Sequence, residues 1–181
     1  MRENLVLIDE ENFDVKLDLR YATTNNVTGK KFYQNALCYL HKDAVEAMKK
    51  AMKLAKIQGY RLKIFDGYRP FKAQQFLFNN FPADGFVSNP EGGVVPHCRG
   101  VAIDLTLIDE NDAELDMGTE FDNFTDKAYH ACTSVSAEAQ KNRFILMGIM
   151  MSSGWDFYKQ EWWHYQLFKP REYPIIEDFD I

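Results

Sequence analysis

Hydrophobic and polar positions change period several times along the chain, and each change predicts an element. Val15, Leu17 and Leu19 alternate with Lys16, Asp18 and Arg20, the period-two pattern of a strand with one buried face. From Asp43 to Gln58 the apolar positions Val45, Met48, Met52 and Ala55 follow helical spacing, with lysines opposite and Gly59 placed to stop the helix. Strand character resumes over Tyr60 to Phe65 and breaks at Asp66-Gly67. A helix can then start at Pro70, where no amide donor is needed, and run to about Phe78. The stretch from Pro82 to Pro96 holds three prolines and three glycines and reads as a long surface loop of the kind that borders a site.

Beyond that loop, Val101, Ile103, Leu105 and Leu107 are large and apolar, while Ala102, Asp104 and Thr106 are small or polar. This predicts a strand with Asp104 on its non-core face. Ser136 can cap a helix running to about Ser152 and ended by Gly154, and Ile145, Leu146, Ile149 and Met150 predict deep burial for it. Trp155 to Tyr158 and Trp162 to Phe168 are the last predicted strands, paired as a hairpin across Lys159-Gln160. With no βαβ alternation, repeat or linker, the expected fold is α+β. It is a single domain over residues 1–181, with a central, mostly antiparallel sheet, helices packed against it and a site in a cleft on the sheet.

Composition narrows the function. The 181 residues are 46% hydrophobic and 27% charged, ordinary values for a globular chain. A formal net charge of -6, with 21 scattered basic residues, argues against nucleic acid as a partner. The longest apolar run, Ile145 to Met151, falls far short of the ~20 residues that span a bilayer. The apolar stretch near the N-terminus is too brief for a signal peptide, which favours a cytoplasmic chain, a periplasmic one requiring a leader already removed. Three cysteines, Cys38, Cys98 and Cys132, lack C-x-x-C spacing and read as free thiols.

The chemistry-bearing signal is the placement of two of the four histidines beside carboxylates, in His97-Cys98-Arg99-Gly100-Val101-Ala102-Ile103-Asp104 and in Glu161-Trp162-Trp163-His164. Two imidazoles and one carboxylate can hold zinc with a fourth position free for water, and a further carboxylate can take that water's proton. On a flat strand His97 and Asp104 would point to opposite faces, so the reading requires a bend, for which Gly100 is placed, with Ala102 kept small beside the metal. Glu161 and His164 likewise require a turn or bulge between them, with Glu161 at the start of the strand and His164 within it. His41 and His130 have no such partner and read as structural.

Asp66-Gly67-Tyr68-Arg69-Pro70, His97 through Leu107, Met117-Gly118-Thr119-Glu120-Phe121-Asp122 and Glu161-Trp162-Trp163-His164-Tyr165 together resemble the VanX-type D-alanyl-D-alanine dipeptidases of the M15, or LAS, zinc peptidase family over nearly the whole chain. The family pattern S-x-H-x-x-G-x-A-x-D falls on residues 95 to 104 and its E-x-x-H element on 161 to 164. The resemblance implies one zinc ion held by His97, Asp104 and His164, with Glu161 as catalytic base and Arg69 stabilising the developing oxyanion. It also suggests Asp122 as a pocket carboxylate, with a turn cap as the competing role, and Tyr68 and Trp163 as further substrate contacts. The departure is Val95, followed by Pro96, where the family has a serine in a region that helps hold the substrate's amino group. The implied activity is hydrolysis of a free D,D-dipeptide. A D,D-carboxypeptidase or peptidoglycan endopeptidase, which needs an open groove, and a non-catalytic zinc-containing binding domain are the alternatives.

Overall fold

The structure, a computed structural model, describes residues 2–81, 83 and 85–181. Pro82, with which the predicted loop opens, lies outside the described residues. Seven strands and three α-helices are described: β1 (Leu5–Ile8), β2 (Val15–Leu17), β3 (Cys38–His41), α1 (Lys42–Ile57), β4 (Arg61–Asp66), α2 (Phe71–Asn80), β5 (Ala102–Ile108), α3 (Ala137–Ser152), β6 (Trp155–Phe157) and β7 (His164–Leu167). Five strands form the main sheet in the order β2-β4-β5-β7-β6. Its pairs are antiparallel except β2 with β4, so the expected α+β architecture with a mostly antiparallel sheet is what the chain adopts.

Local chemistry accounts for the helix limits. The Ser136 hydroxyl accepts from the Ala139 amide at 3.0 Å and starts α3. His41 caps α1, its Nδ1 accepting from the Asp43 amide at 3.3 Å. After α3, Gly154 adopts φ +101°, a turn conformation natural to glycine. The helices α1 and α3 touch each other and pack against β4 and β6, and Ile103, Leu105 and Leu107 of β5 join the same hydrophobic cluster. The other face of β5 is buried as well, at Ala102, Asp104 and Thr106. The polar face of β5 is therefore the floor of an interior site rather than a wetted surface.

Two features depart from the sequence reading. The hairpin is not closed by a turn at Lys159-Gln160 alone: β6 ends at Phe157 and β7 begins at His164. A two-residue turn favours glycine or asparagine, and neither is present. A first turn forms at the expected Lys159-Gln160, Glu161 N–H donating to the Tyr158 carbonyl at 3.1 Å, and a second follows it, His164 N–H donating to the Glu161 carbonyl at 3.4 Å. The second departure is a separate two-stranded antiparallel sheet of β1 and β3, which carries no long alternation and was not foreseen. It buttresses the site from behind, because the His41 amide donates to the Gly100 carbonyl at 2.7 Å and the Tyr68 amide to the Tyr39 carbonyl at 2.8 Å.

Candidate active site

The loop before β5 is reversed by a short 3-10 turn, His97–Arg99, and by Gly100 in the left-handed region at φ +68°. A side chain at Gly100 would lie 2.8 Å from Leu5 and 3.2 Å from the His41 amide, so glycine is required both for the dihedral and for the close approach of the small sheet. The reversal returns the His97 ring over β5, as the bend was expected to do. On the far side of β5, the double turn places His164 directly opposite Asp104 in the β5–β7 ladder.

These placements bring three potential ligand atoms together. His97 Nε2 stands 3.1 Å from His164 Nδ1 and 3.3 Å from Asp104 Oδ2, and His164 Nδ1 stands 3.0 Å from Asp104 Oδ1. All three residues are buried, and each offers one atom to a common point. The donor set of two imidazole nitrogens and one carboxylate fits a catalytic zinc, which keeps a fourth position open. His97 also has its rear nitrogen fixed, Nδ1 lying 2.7 Å from the Gly67 carbonyl, which leaves Nε2 as the free lone pair. Burial works against ionised Asp104, but imidazoles that carry protons toward it, as they can when no cation lies between them, outweigh burial and hold its carboxyl well below the usual range.

Around this point lies a cavity of about 420 Å³. Glu161 enters it from the double turn, its Oε2 3.8 Å from His164 Nδ1. Burial, reinforced by Asp104 and Asp122, pushes the Glu161 carboxyl well above its ordinary value. Arg69 enters from the turn after β4 and is 8% exposed. Its guanidinium is fixed by Asp66 Oδ2, 2.9 Å from Nε and 2.8 Å from Nη2, by Gln74 Oε1 at 2.9 Å from Nη1, and by the Tyr21 ring 5.0 Å away. A register irregularity between Ile64 and Asp66 turns Asp66 to the same face as Asp104. Asp66 Oδ1 in turn accepts from the Tyr33 hydroxyl at 2.8 Å.

Asp122 adopts φ +59° and lines the cavity. Its Oδ1 accepts from the Tyr21 hydroxyl at 3.1 Å, while its Oδ2 is buried with no partner among the described residues. Burial and the neighbouring Asp104 push this carboxyl up to about 7. Trp163 also faces the cavity. Tyr68 does not: its ring stacks on Phe179 at 5.1 Å, and its hydroxyl approaches the Glu177 carbonyl on the other side of the turn. Arg69, one residue later, takes the direction Tyr68 was expected to take. His41 serves α1 as described, and His130 is packed against Phe157 and Tyr165, burial holding it down to about 4 and uncharged. Val94, Val95 and Phe86 of the long loop wall the cavity, as its position before the histidine predicted. The sequence reading missed Tyr21, Gln74 and Gln166, which also line it and carry no local motif.

The M15 peptidase family model described as D-ala-D-ala dipeptidase matches residues 1–176. The chain belongs to this family. A D-alanyl-D-alanine dipeptidase of Escherichia coli (strain K12) is 41% identical over 165 residues, covering 91% of this chain and 85% of that one. The Enterococcus faecium D-alanyl-D-alanine dipeptidase is 34% identical over 195 residues, covering 96% of each. Among solved structures the LdcB LD-carboxypeptidase has a TM-score of 0.54 at 20% identity, covering 93% of this chain and 70% of that one, a likeness of fold. As an M15 peptidase the chain is a hydrolase, and the residues that converge from its β5 and β7 segments are those quoted above for the family.

Proposed function

We propose that this M15 peptidase hydrolyses a free D,D-dipeptide, D-alanyl-D-alanine, with one zinc ion held by His97 Nε2, Asp104 and His164 Nδ1. The convergence of these three atoms beside Glu161 in one cavity carries the reading. Bound there, zinc would lower the pKa of its water toward neutrality and polarise the scissile carbonyl. Glu161 takes the proton of the attacking water, a role that its raised proton affinity suits, and returns it to the leaving amine. Arg69, whose positive charge is locked by Asp66 and Gln74, faces the negative charge that develops on the carbonyl oxygen.

Substrate length follows from the walls. A volume of about 420 Å³ is at the small end of ligand sites and suits a short peptide better than a polymer strand. The unpartnered Oδ2 of Asp122 supplies what Val95 cannot, an acceptor for the substrate's ammonium, and Trp163 gives an apolar flank. A release assay with D-Ala-D-Ala, L-Ala-L-Ala and N-blocked D-Ala-D-Ala, with and without chelator, tests the reading. Free D-Ala-D-Ala is expected to be cleaved in a chelator-sensitive way and the blocked peptide to be spared. Preferential cleavage of the blocked peptide would overturn it in favour of a carboxypeptidase.

A further inference from the structure

The two histidines that meet over Asp104 are held from behind in different ways. His97 turns its rear nitrogen to a backbone carbonyl, that of Gly67, which no substitution removes. His164 turns its rear nitrogen, Nε2, to a side chain: the Oε1 of Gln166 lies 3.3 Å away, at the long end of hydrogen-bond distances. Gln166 is two residues further along β7 and so shares the face of His164. Across the ladder its partner is Ala102, whose small side chain leaves the space above β5 for the glutamine, and on the other edge Asp156. Gln166 also lines the cavity.

A neutral imidazole carries a single proton, and that proton must be on Nε2 if Nδ1 is to offer its lone pair toward Asp104 and His97. A carbonyl oxygen facing Nε2 stabilises that tautomer and fixes the rotation of the ring. We propose that Gln166 is a positioning residue for metal binding, the acceptor that holds His164 with Nδ1 presented to the ion. The inference rests on the zinc reading above and adds to it a residue outside the quoted motifs.

The test is zinc affinity, measured by competition with a chromophoric chelator, on the wild type, Gln166→Leu and Gln166→Glu. Leucine matches the volume without an acceptor, and affinity is expected to fall about 10- to 100-fold. Glutamate restores an acceptor at the same reach and is expected to stay close to the wild type. In the zinc-loaded wild type, ring nitrogen NMR is expected to show the His164 proton on Nε2 and protected from solvent exchange, with that protection lost in Gln166→Leu. Equal affinity of Gln166→Leu and the wild type, with equal circular dichroism, overturns the proposal while leaving the zinc reading intact. A wild type that binds no zinc overturns the zinc reading itself. If Gln166→Leu does not fold, Gln166→Asn, too short to reach Nε2, takes its place with the same expectation, and unchanged affinity there is equally decisive.

Discussion

The two faces of β5 obey different rules although the side chains of both are buried. On one, Ile103, Leu105 and Leu107 face Tyr165, Ile64 and Leu62 across the neighbouring strands, and every one of these side chains is buried. That face stabilises the fold by removing apolar area from water, and shape is all it needs. On the other, Asp104 lies between Asp66 and His164, with Glu161 and Asp122 in the same cavity. Three buried carboxylates, Asp66, Asp104 and Glu161, and the half-buried Asp122 are compensated there by Arg69 and by imidazoles, an arrangement that costs stability and that the proposed cation would relieve. One strand thus separates the function of holding the molecule together from that of holding its reactive groups apart.

The contrast is sharpest when one group is removed from each face. Glu161→Gln keeps the shape of the site and deletes the proposed base, so turnover is expected to fall by about 10²- to 10⁴-fold. Thermal stability of the variant should not fall, because a buried carboxylate held against its own ionisation is lost with the change. Steady-state rates on D-Ala-D-Ala beside a melting curve check both halves, and a variant that loses stability in step with activity breaks the comparison. Leu107→Ala does the reverse. Leu107 is fully buried opposite Leu62, and the cavity left behind is expected to cost about 2–5 kcal/mol of unfolding free energy. Its zinc content and the turnover of the folded fraction should match the wild type. Denaturant titration with metal analysis measures this, and loss of zinc from folded protein would show that the two faces are not separable.

What the chain disclosed in advance follows the same division. The alternation of β5, the cap at Ser136 and the helical stripe of α1 are local patterns, and each emerged within a residue or two of its expected limits. The convergence of His97, Asp104 and His164 was legible because their spacing demanded bends, and Gly100 and the double turn supply them. The small sheet of β1 and β3 was not legible, since two four-residue strands gain their stability from pairing residues 30 to 36 positions apart. Tyr21 and Gln74 were missed for a related reason. Their importance lies in whom they meet, Asp122 and Arg69, and nothing near them in sequence announces it. Tyr68 shows the converse: it stands in a quoted motif, yet the turn sends its ring to Phe179.

The mildest expected effect concerns pH in the metal-stripped protein. Asp122 has its folded value raised from 3.8 to about 7, by burial first and by Asp104 next. At this carboxyl the folded state therefore keeps its proton while the unfolded state has released it, and its contribution to stability must fall as pH rises between about 4 and 7, against the opposite contribution of His130. One such group gives a slope of about 1.4 kcal/mol per pH unit at most. Asp104 has the opposite sign, its lowered value withdrawing stability only as pH falls below 3.8. In Asp122→Asn the slope between pH 4 and 7 should lose a downward contribution of roughly one proton, while Leu107→Ala shifts the whole curve down without changing its shape. Urea midpoints collected across that range, with chelator present throughout, measure both curves. If Asp122→Asn keeps the wild-type slope, the carboxyl of Asp122 is already ionised in the folded protein and the cavity is wetter than its burial implies.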